Sequence, residues 1–307
     1  MTTAPVPPAP PSVPWLQPKT TKQFVITIGA LAGTMLVLIG ILISFALRVP
    51  AIPPVIQKAR NLLEDRKFDE AIALLVPVIQ EIEKTRGPED VTLVKHFDLL
   101  AHIYEAMGKT AEAEPLWRRS LQIRSKQLDP DHPEVIGTGD KLAMALMAQK
   151  KFPEAETLLK KSLAHREKAF EPDDPKLMPS LNRLAELYVA TGRFPEAETV
   201  AKRAVQLGRA TIGLQPPSFA DSERWLGAAL AGQAKFEDAI PLYENALPLK
   251  KKQLPAAPHI PPKQGQISHG DYADLLKEAA VVYRSAGKEI KAKGLEEEAE
   301  ATLHPKQ

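Results

Sequence analysis

A histidine set among acids could bind a metal ion or move protons, and one stands in "DPDHPEV", Asp129 to Val135. Carboxylates beside an imidazole would supply a general base with its orienting partner, or two ligands for a divalent cation. The spacing along the chain argues otherwise. Forty-two residues later comes "EPDDPKL" (Glu171 to Leu177), and forty-two earlier "GPEDVTL" (Gly87 to Leu93), neither with a histidine. The mark that returns is proline with acid, and His132 is incidental to it. The seven histidines contain no i, i+4 pair and no H-E-x-x-H, the spacing that puts two imidazoles on one helix face. His259 and His269 stand ten apart in a proline-rich stretch, which fits a solvated loop. There are no cysteines, so thiolate ligands and nucleophiles are excluded, and no glycine-rich phosphate loop follows a strand pattern. The sequence predicts no catalytic residue, no metal, no cofactor and no small-molecule substrate, hence no enzyme.

The elements behind the punctuation follow from the same period. Ala71, Ala113, Ala155, Ala197 and Ala239 are each forty-two apart, as are Phe68, Phe152, Phe194 and Phe236, with Thr110 in the open slot. Leu100, Leu142, Leu184 and Leu226 form a further column, each followed by Ala101, Ala143, Ala185 or Gly227, with Ala59 one period before Ala101. Tyr104, Leu146, Tyr188 and Leu230 make another. Within a unit the apolar spacing is 3 and 4, so each unit is predicted to hold two helices. Gly192 ends the first helix as a left-handed C-cap, and Pro195 opens the second where proline is tolerated. Pro88, Pro130 and Pro172, then Pro133, Pro175 and Pro217, stop the second helix because proline lacks the amide that would continue it. Asp131 and Asp173–Asp174 are expected to cap the next helix. Ser120 and Ser162, aligned with Ala204 and Ala246, are read as small packing residues.

Composition agrees with this. The 307 residues are 44% hydrophobic but only 6% aromatic, which suits close helix packing through small side chains. Lysine plus arginine (40) balances aspartate plus glutamate (38), so no global field selects nucleic acid. The basic groups Arg118–Arg119, Lys160–Lys161 and Lys250 to Lys252 fall on second helices and are expected to be solvated.

The pattern leucine-alanine-x-x-tyrosine followed by G-x-F-x-E-A resembles the tetratricopeptide repeat. A period of forty-two with the "DPDHP" loop is similar to the kinesin-light-chain variety, and HEAT repeats of like length do not carry the Gly-x-Phe turn. The resemblance implies an all-α fold, an α-solenoid of antiparallel hairpins in a right-handed superhelix whose first helices line a concave groove. Five repeats occupy residues 52–254, a proline-rich loop 255–270, and a degenerate sixth repeat or cap 271–303. Lys58 replaces leucine in the first unit, and Pro77 predicts a kink in its second helix. Glu296, Glu297, Glu298 and Glu300 stand at expected core positions of the last helix and give the array a polar end.

The groove positions then follow from the helical face opposite Leu100 and Tyr104. They are Asp98, His102 and Glu105; Asp140, Met144 and Met147; Asn182, Glu186 and Val189; and Arg224, Ala228 and Ala231. The row predicts a docking surface for a partner protein segment with apolar anchors and some basic residues. The lysine, asparagine and arginine clamp by which co-chaperone repeats hold a carboxylate is not matched at Asp98, His102, Asp140 and Met144.

One stretch differs from all this. From Phe24 to Leu47 the chain has no charged residue, enough to cross about 30 Å of hydrocarbon as a single helix and longer than a signal-peptide core of roughly 7–15 residues. Residues 24–47 are therefore read as a single membrane span in contact with the lipid bilayer. Residues 1–23, with seven prolines, are read as a disordered, polyproline-like tail. Lys19 and Lys22 flank one side and Arg48, Lys58, Arg60, Arg66 and Lys67 the other, so a cytoplasmic and an extracytoplasmic solenoid both remain open. The function these features predict is a membrane-anchored interaction scaffold, the alternative being a permanent structural or regulatory subunit of a membrane complex. If the alanine column nests two helices together, Ala197→Leu should overpack the crossing and cost on the order of 1–3 kcal/mol, read as a lower denaturant midpoint.

Overall fold

The structure is a computed structural model in which residues 54–211, 218–256 and 266–304 are described. The chain divides between Gln57 and Lys58, within the first described helix, and the helical array that follows is described by itself. Among the described residues there are only helices, with one short 3-10 turn at Pro175–Leu177. In chain order they are α1 (Pro54–Glu64), α2 (Phe68–Arg86), α3 (Leu93–Ala106), α4 (Thr110–Gln127), α5 (Pro133–Ala148) and α6 (Phe152–Ala169). Then come α7 (Met178–Ala190), α8 (Phe194–Ala210), α9 (Phe219–Gly232), α10 (Phe236–Lys251), α11 (His269–Ser285) and α12 (Glu289–Leu303). Residues 24–47, read as a membrane span, lie outside the described residues together with the 1–23 tail. Among the described residues no helix is long and apolar enough to cross a membrane.

From α3 onward odd and even helices pair as hairpins, each packing on the next, and the first helices α7 and α9 also touch directly. Each repeating column has a physical place in this stack. Ala71, Ala113, Ala155, Ala197, Ala239 and, after the longer fifth interval, Ala292 are all 0% exposed, as are Ala59, Ala101, Ala143 and Ala185. Gly227 takes the next slot because a Cβ there would stand 2.8 Å from the Tyr243 ring.

The turn inside each hairpin is equally regular. Lys67, Lys109, Lys151, Arg193, Lys235 and Lys288 each donate a backbone N–H to the carbonyl five residues back, at 2.8–2.9 Å. This is the closing bond of a Schellman turn, and it requires the preceding residue to be left-handed. Those residues are Arg66, Gly108, Lys150, Gly192, Ala234 and Gly287, all with φ between 58° and 74°. Glycine is at ease there; Arg66, Lys150 and Ala234 are held in it by the turn.

The loops between hairpins place their caps in a column of their own. Asp90, His132 and Asp174, spaced by forty-two, each accept a backbone N–H from two residues on: Thr92 at 2.8 Å, Glu134 at 3.2 Å and Lys176 at 2.8 Å. The cap of α5 is thus His132 Nδ1, not Asp131, which pairs with Lys168 at 3.3 Å. Imidazole serves because its unprotonated nitrogen is an acceptor, as the carboxylate is in the neighbouring loops.

Pro77 lies inside α2, which runs from Phe68 to Arg86. Two further expectations are corrected. The sixth hairpin begins at His269, within the segment read as loop, because Ser268 and Asp271 form a reciprocal capping box that satisfies the first amides. The glutamates of α12 are not at core positions, which Ala292, Leu295 and Ala299 fill; Glu296 pairs with Arg284, Glu298 with Lys251 and Glu300 with Lys277. The left-handed column makes a prediction. Ala234→Gly should raise stability by about 0.5–1 kcal/mol, the relief of left-handed strain less the added freedom of the unfolded chain. Gly192→Ala should lower it by a similar amount, both read by chemical denaturation.

Candidate functional site

The side chains of the first helices sort into those that close the stack and those that face its open side. Four of the twelve expected groove residues belong to the first group. Asp98 of α3 binds Arg124 of α4 in a fork, 2.7 and 3.1 Å, and accepts from Ser120. One period on, Arg166 of α6 reaches Asp140 at 2.8 Å and Ser180 at 2.7 Å, and also contacts Ser162. Ser120 and Ser162 are therefore members of a repeated Asp–Ser–Arg staple as well as small residues. In the next unit Gly208 replaces the arginine, and a neutral network takes over. Asn182, only 5% exposed, donates to the Ser218 carbonyl at 2.9 Å and accepts from Ser222 at 2.8 Å. In the fifth unit Lys250 returns in the arginine column. Against the expectation of a solvated lysine it is 6% exposed, and it pairs with Asp221 at 2.7 Å. A buried ammonium needs a partner this close.

Arg224 is also tied inward. It binds Glu278 of α11 at 2.8 Å, and Glu278 in turn accepts from Tyr243 at 2.6 Å. His102 and Glu105 are linked to Trp117 of α4. The Trp117 indole donates to Glu105 at 2.8 Å, His102 Nδ1 stands 3.1 Å from the other carboxylate oxygen, and the His102 ring meets Trp117 edge-on with centroids 4.8 Å apart. In the early groove Asp98 and Asp140 are thus paired with arginines and Glu105 is hydrogen-bonded to Trp117, so a basic partner would find few unengaged carboxylates there. Among the described residues, Lys95 and Lys141 of the corresponding helical faces have no ion pair.

What remains open is a depression floored by α5, α7 and α9. Its outer part, about 480 Å³, is lined by Met144, Met147, Phe152, Glu186, Val189 and Trp225. A deeper part of about 530 Å³ continues from Met144, Glu186 and Trp225 toward Lys250, Ile267 and Leu275 of the later units. Met144, Met147 and Glu186 are thus brought together as the sequence predicts, with Glu186 held by Arg183 at 2.9 Å. Two contributors escape sequence reasoning. Trp225 is half-buried with the Arg224 guanidinium 4.5 Å from its ring centre, and Arg183 stands one period before it. Both belong to the column Leu99, Lys141, Arg183, Trp225, whose changing chemistry is itself the available signal. Beyond it Val281, fifty-three residues after Ala228, is 59% exposed.

An array of antiparallel helical hairpins with one grooved face defines a repeat solenoid. The chain carries tetratricopeptide repeats: models of that repeat match residues 96–134, 136–210 and 182–258. It is similar to the tetratricopeptide-like repeats of a Podosopora anserina protein described as a putative kinesin light chain, at 27% identity and a TM-score of 0.57, covering 64% of this chain and 93% of that one. BtubC (BKLC) of P. vanneervenii shares the fold at 21% identity and TM-score 0.56, covering 78% and 94%. PilW, a type IV pilus biogenesis factor, does so at 16% identity and TM-score 0.54, covering 82% and 94%. No curated protein matches the sequence. Repeats of this family make protein–protein interaction scaffolds, as adaptors rather than enzymes.

The staples yield a test of what holds the groove helices in place. Arg166→Met leaves the Asp140 carboxylate half-buried without its cation and should cost about 1–3 kcal/mol. Adding Asp140→Leu should recover much of that loss, a non-additivity that a double-mutant cycle by urea denaturation measures.

Proposed function

We propose that the protein is a membrane-anchored scaffold, with residues 24–47 as the anchor, that holds a segment of a partner protein in the depression between α5, α7 and α9. The observation that carries this reading is the partly buried Trp225 lining the same depression as the two methionines. An indole costs little entropy to order and offers a broad contact area, while methionine adapts to irregular partners. The charge around it favours a segment with apolar anchors and acidic flanks over a basic one, since the groove carboxylates are paired and Lys95 and Lys141 form no ion pair among the described residues. Tethering to a bilayer raises the effective concentration toward partners in the same membrane. Nucleic acid is not an expected partner for a chain with formal net charge +2.

A second reading, a permanent structural or regulatory subunit of a membrane complex, draws on Ile290 of α12. It is 91% exposed beside a depression shared with Ile240, Tyr283 and Leu295. Permanent assembly would appear as a stable complex in size measurements, and transient segment binding as a monomer.

Met144→Asp with Met147→Asp should reduce capture of membrane partners at least tenfold relative to wild type, in a paired in-membrane pull-down read by mass spectrometry. Helicity should stay unchanged while melting falls modestly, because Met147 lines the groove but also packs against the core. Retention of the same partners at wild-type levels would sink the groove assignment.

A further inference from the structure

Glu223 of α9 stands where this stack calls for an apolar side chain. One and three periods earlier the same position holds Leu181 and Phe97, which are 1% and 0% exposed, and Glu223 itself is 1% exposed. The carboxylate lies between α8 and α10. Its Oε1 accepts from Asn245 of α10 at 3.1 Å and stands 3.5 Å from Arg209 of α8, whose side chain is 60% exposed. Its Oε2 is buried with no hydrogen-bond partner among the described residues. The neighbouring charges on α9 are committed elsewhere, Asp221 to Lys250 and Arg224 to Glu278. Leaving a carboxylate oxygen dry and unpaired is costly only while it is charged, so the packing at this seam and the proton on Glu223 are coupled.

We propose that Glu223 is an acid-tightened latch on the seam where α9 meets α8 and α10. With its proton on, the side chain fills the position as Leu181 fills its own, and the seam closes. With the proton off, the buried charge favours local opening that lets it reach water. Arg224 and Trp225 come next on the same helix, so the latch sets how firmly that wall of the groove is held.

The direction comes from linkage. Burial pushes the Glu223 carboxyl above its ordinary 4.5, opposed by Asn245 and the field of Arg209. The packed form therefore binds the proton more tightly than an opened form in which the group is hydrated. Stability of the seam is highest below the ordinary value. It falls as pH rises from there through the raised value, by up to about tenfold in the opening constant per pH unit, and then levels.

Native-state hydrogen exchange on the full-length protein, from about pH 5 to about pH 8 and corrected for intrinsic exchange, reads this directly. The amides of α3–α5 in the same molecule serve as the internal reference. Opening of α9 and α10 should grow with pH in the wild type relative to that reference. Glu223→Gln should abolish the slope, and Glu223→Leu should abolish it while leaving the seam at least tenfold better protected at the upper pH. A flat wild type, or a slope that persists in either folded variant, overturns the latch. None of these outcomes depends on whether the groove holds a partner.

Discussion

The structure depends on the close approach of helices at positions where only a methyl group or a hydrogen fits. Two alanine columns, one on the first helices and one on the second, are completely buried across the array. Because dense packing leaves no slack for an added methylene, each hairpin can dock on its neighbour in only one register. That register carries the rest: the turn residues fall into the left-handed column, the caps into theirs, and the remaining face of each first helix toward the groove. Where the alanine gives way to Gly227, the larger Tyr243 ring of the partner helix occupies the released space, so the distance between helices is kept by a compensating pair.

Polar side chains then lock what alanine permits. The Asp98–Ser120–Arg124 and Asp140–Ser162–Arg166 clusters use the same residue types at the same spacing but differ in detail, Arg124 forking onto Asp98 while Arg166 shares itself among Asp140, Ser162 and Ser180; each closes one hairpin across its two helices. Farther along, the aspartate column holds Asn182, which pairs with Ser222, and the arginine column holds Lys250, which pairs with Asp221. The chemistry changes from ionic to neutral to ionic, and most buried polar atoms along the way are paired; Asp140 Oδ1 and Glu223 Oε2 are exceptions among the described residues. This explains why so few of the acids at the expected groove positions are available to a partner: Asp98 and Asp140 are attached to the scaffold itself.

The period, the helical hairpins, the glycine at the turn and the buried alanines are legible in the sequence because they are local rules repeated along the chain. The groove is legible only in part. Helical phase correctly places Met144, Met147 and Glu186 on one face, but phase cannot report whether a polar group on that face turns toward solvent or toward the second helix. Asp98 and Asp140 turn inward because Arg124 and Arg166, twenty-six residues away in sequence, stand within reach once the hairpin closes. Arg224 is claimed by Glu278 across a fifty-four-residue separation that includes the irregular insertion, so the forty-two-residue arithmetic cannot pair them. His132 eludes the pattern for a smaller reason: its role as a cap depends on which of two adjacent side chains can reach the amide.

The division of labour among columns also says where recognition can reside. In a stack whose units touch only their neighbours, a residue that packs in one unit constrains the next, and its column is held nearly constant. A residue that faces the groove has no such obligation. The column Leu99, Lys141, Arg183, Trp225 changes character along the array, from buried aliphatic through two cations to a half-buried indole, while the flanking Leu100, Leu142, Leu184 and Leu226 do not change at all. Variation of that kind next to invariance is what a scaffold needs if its fold is to stay fixed while its binding face is specific. The indole of Trp225, adjacent to an arginine that the frame has already immobilised, is where the two requirements meet.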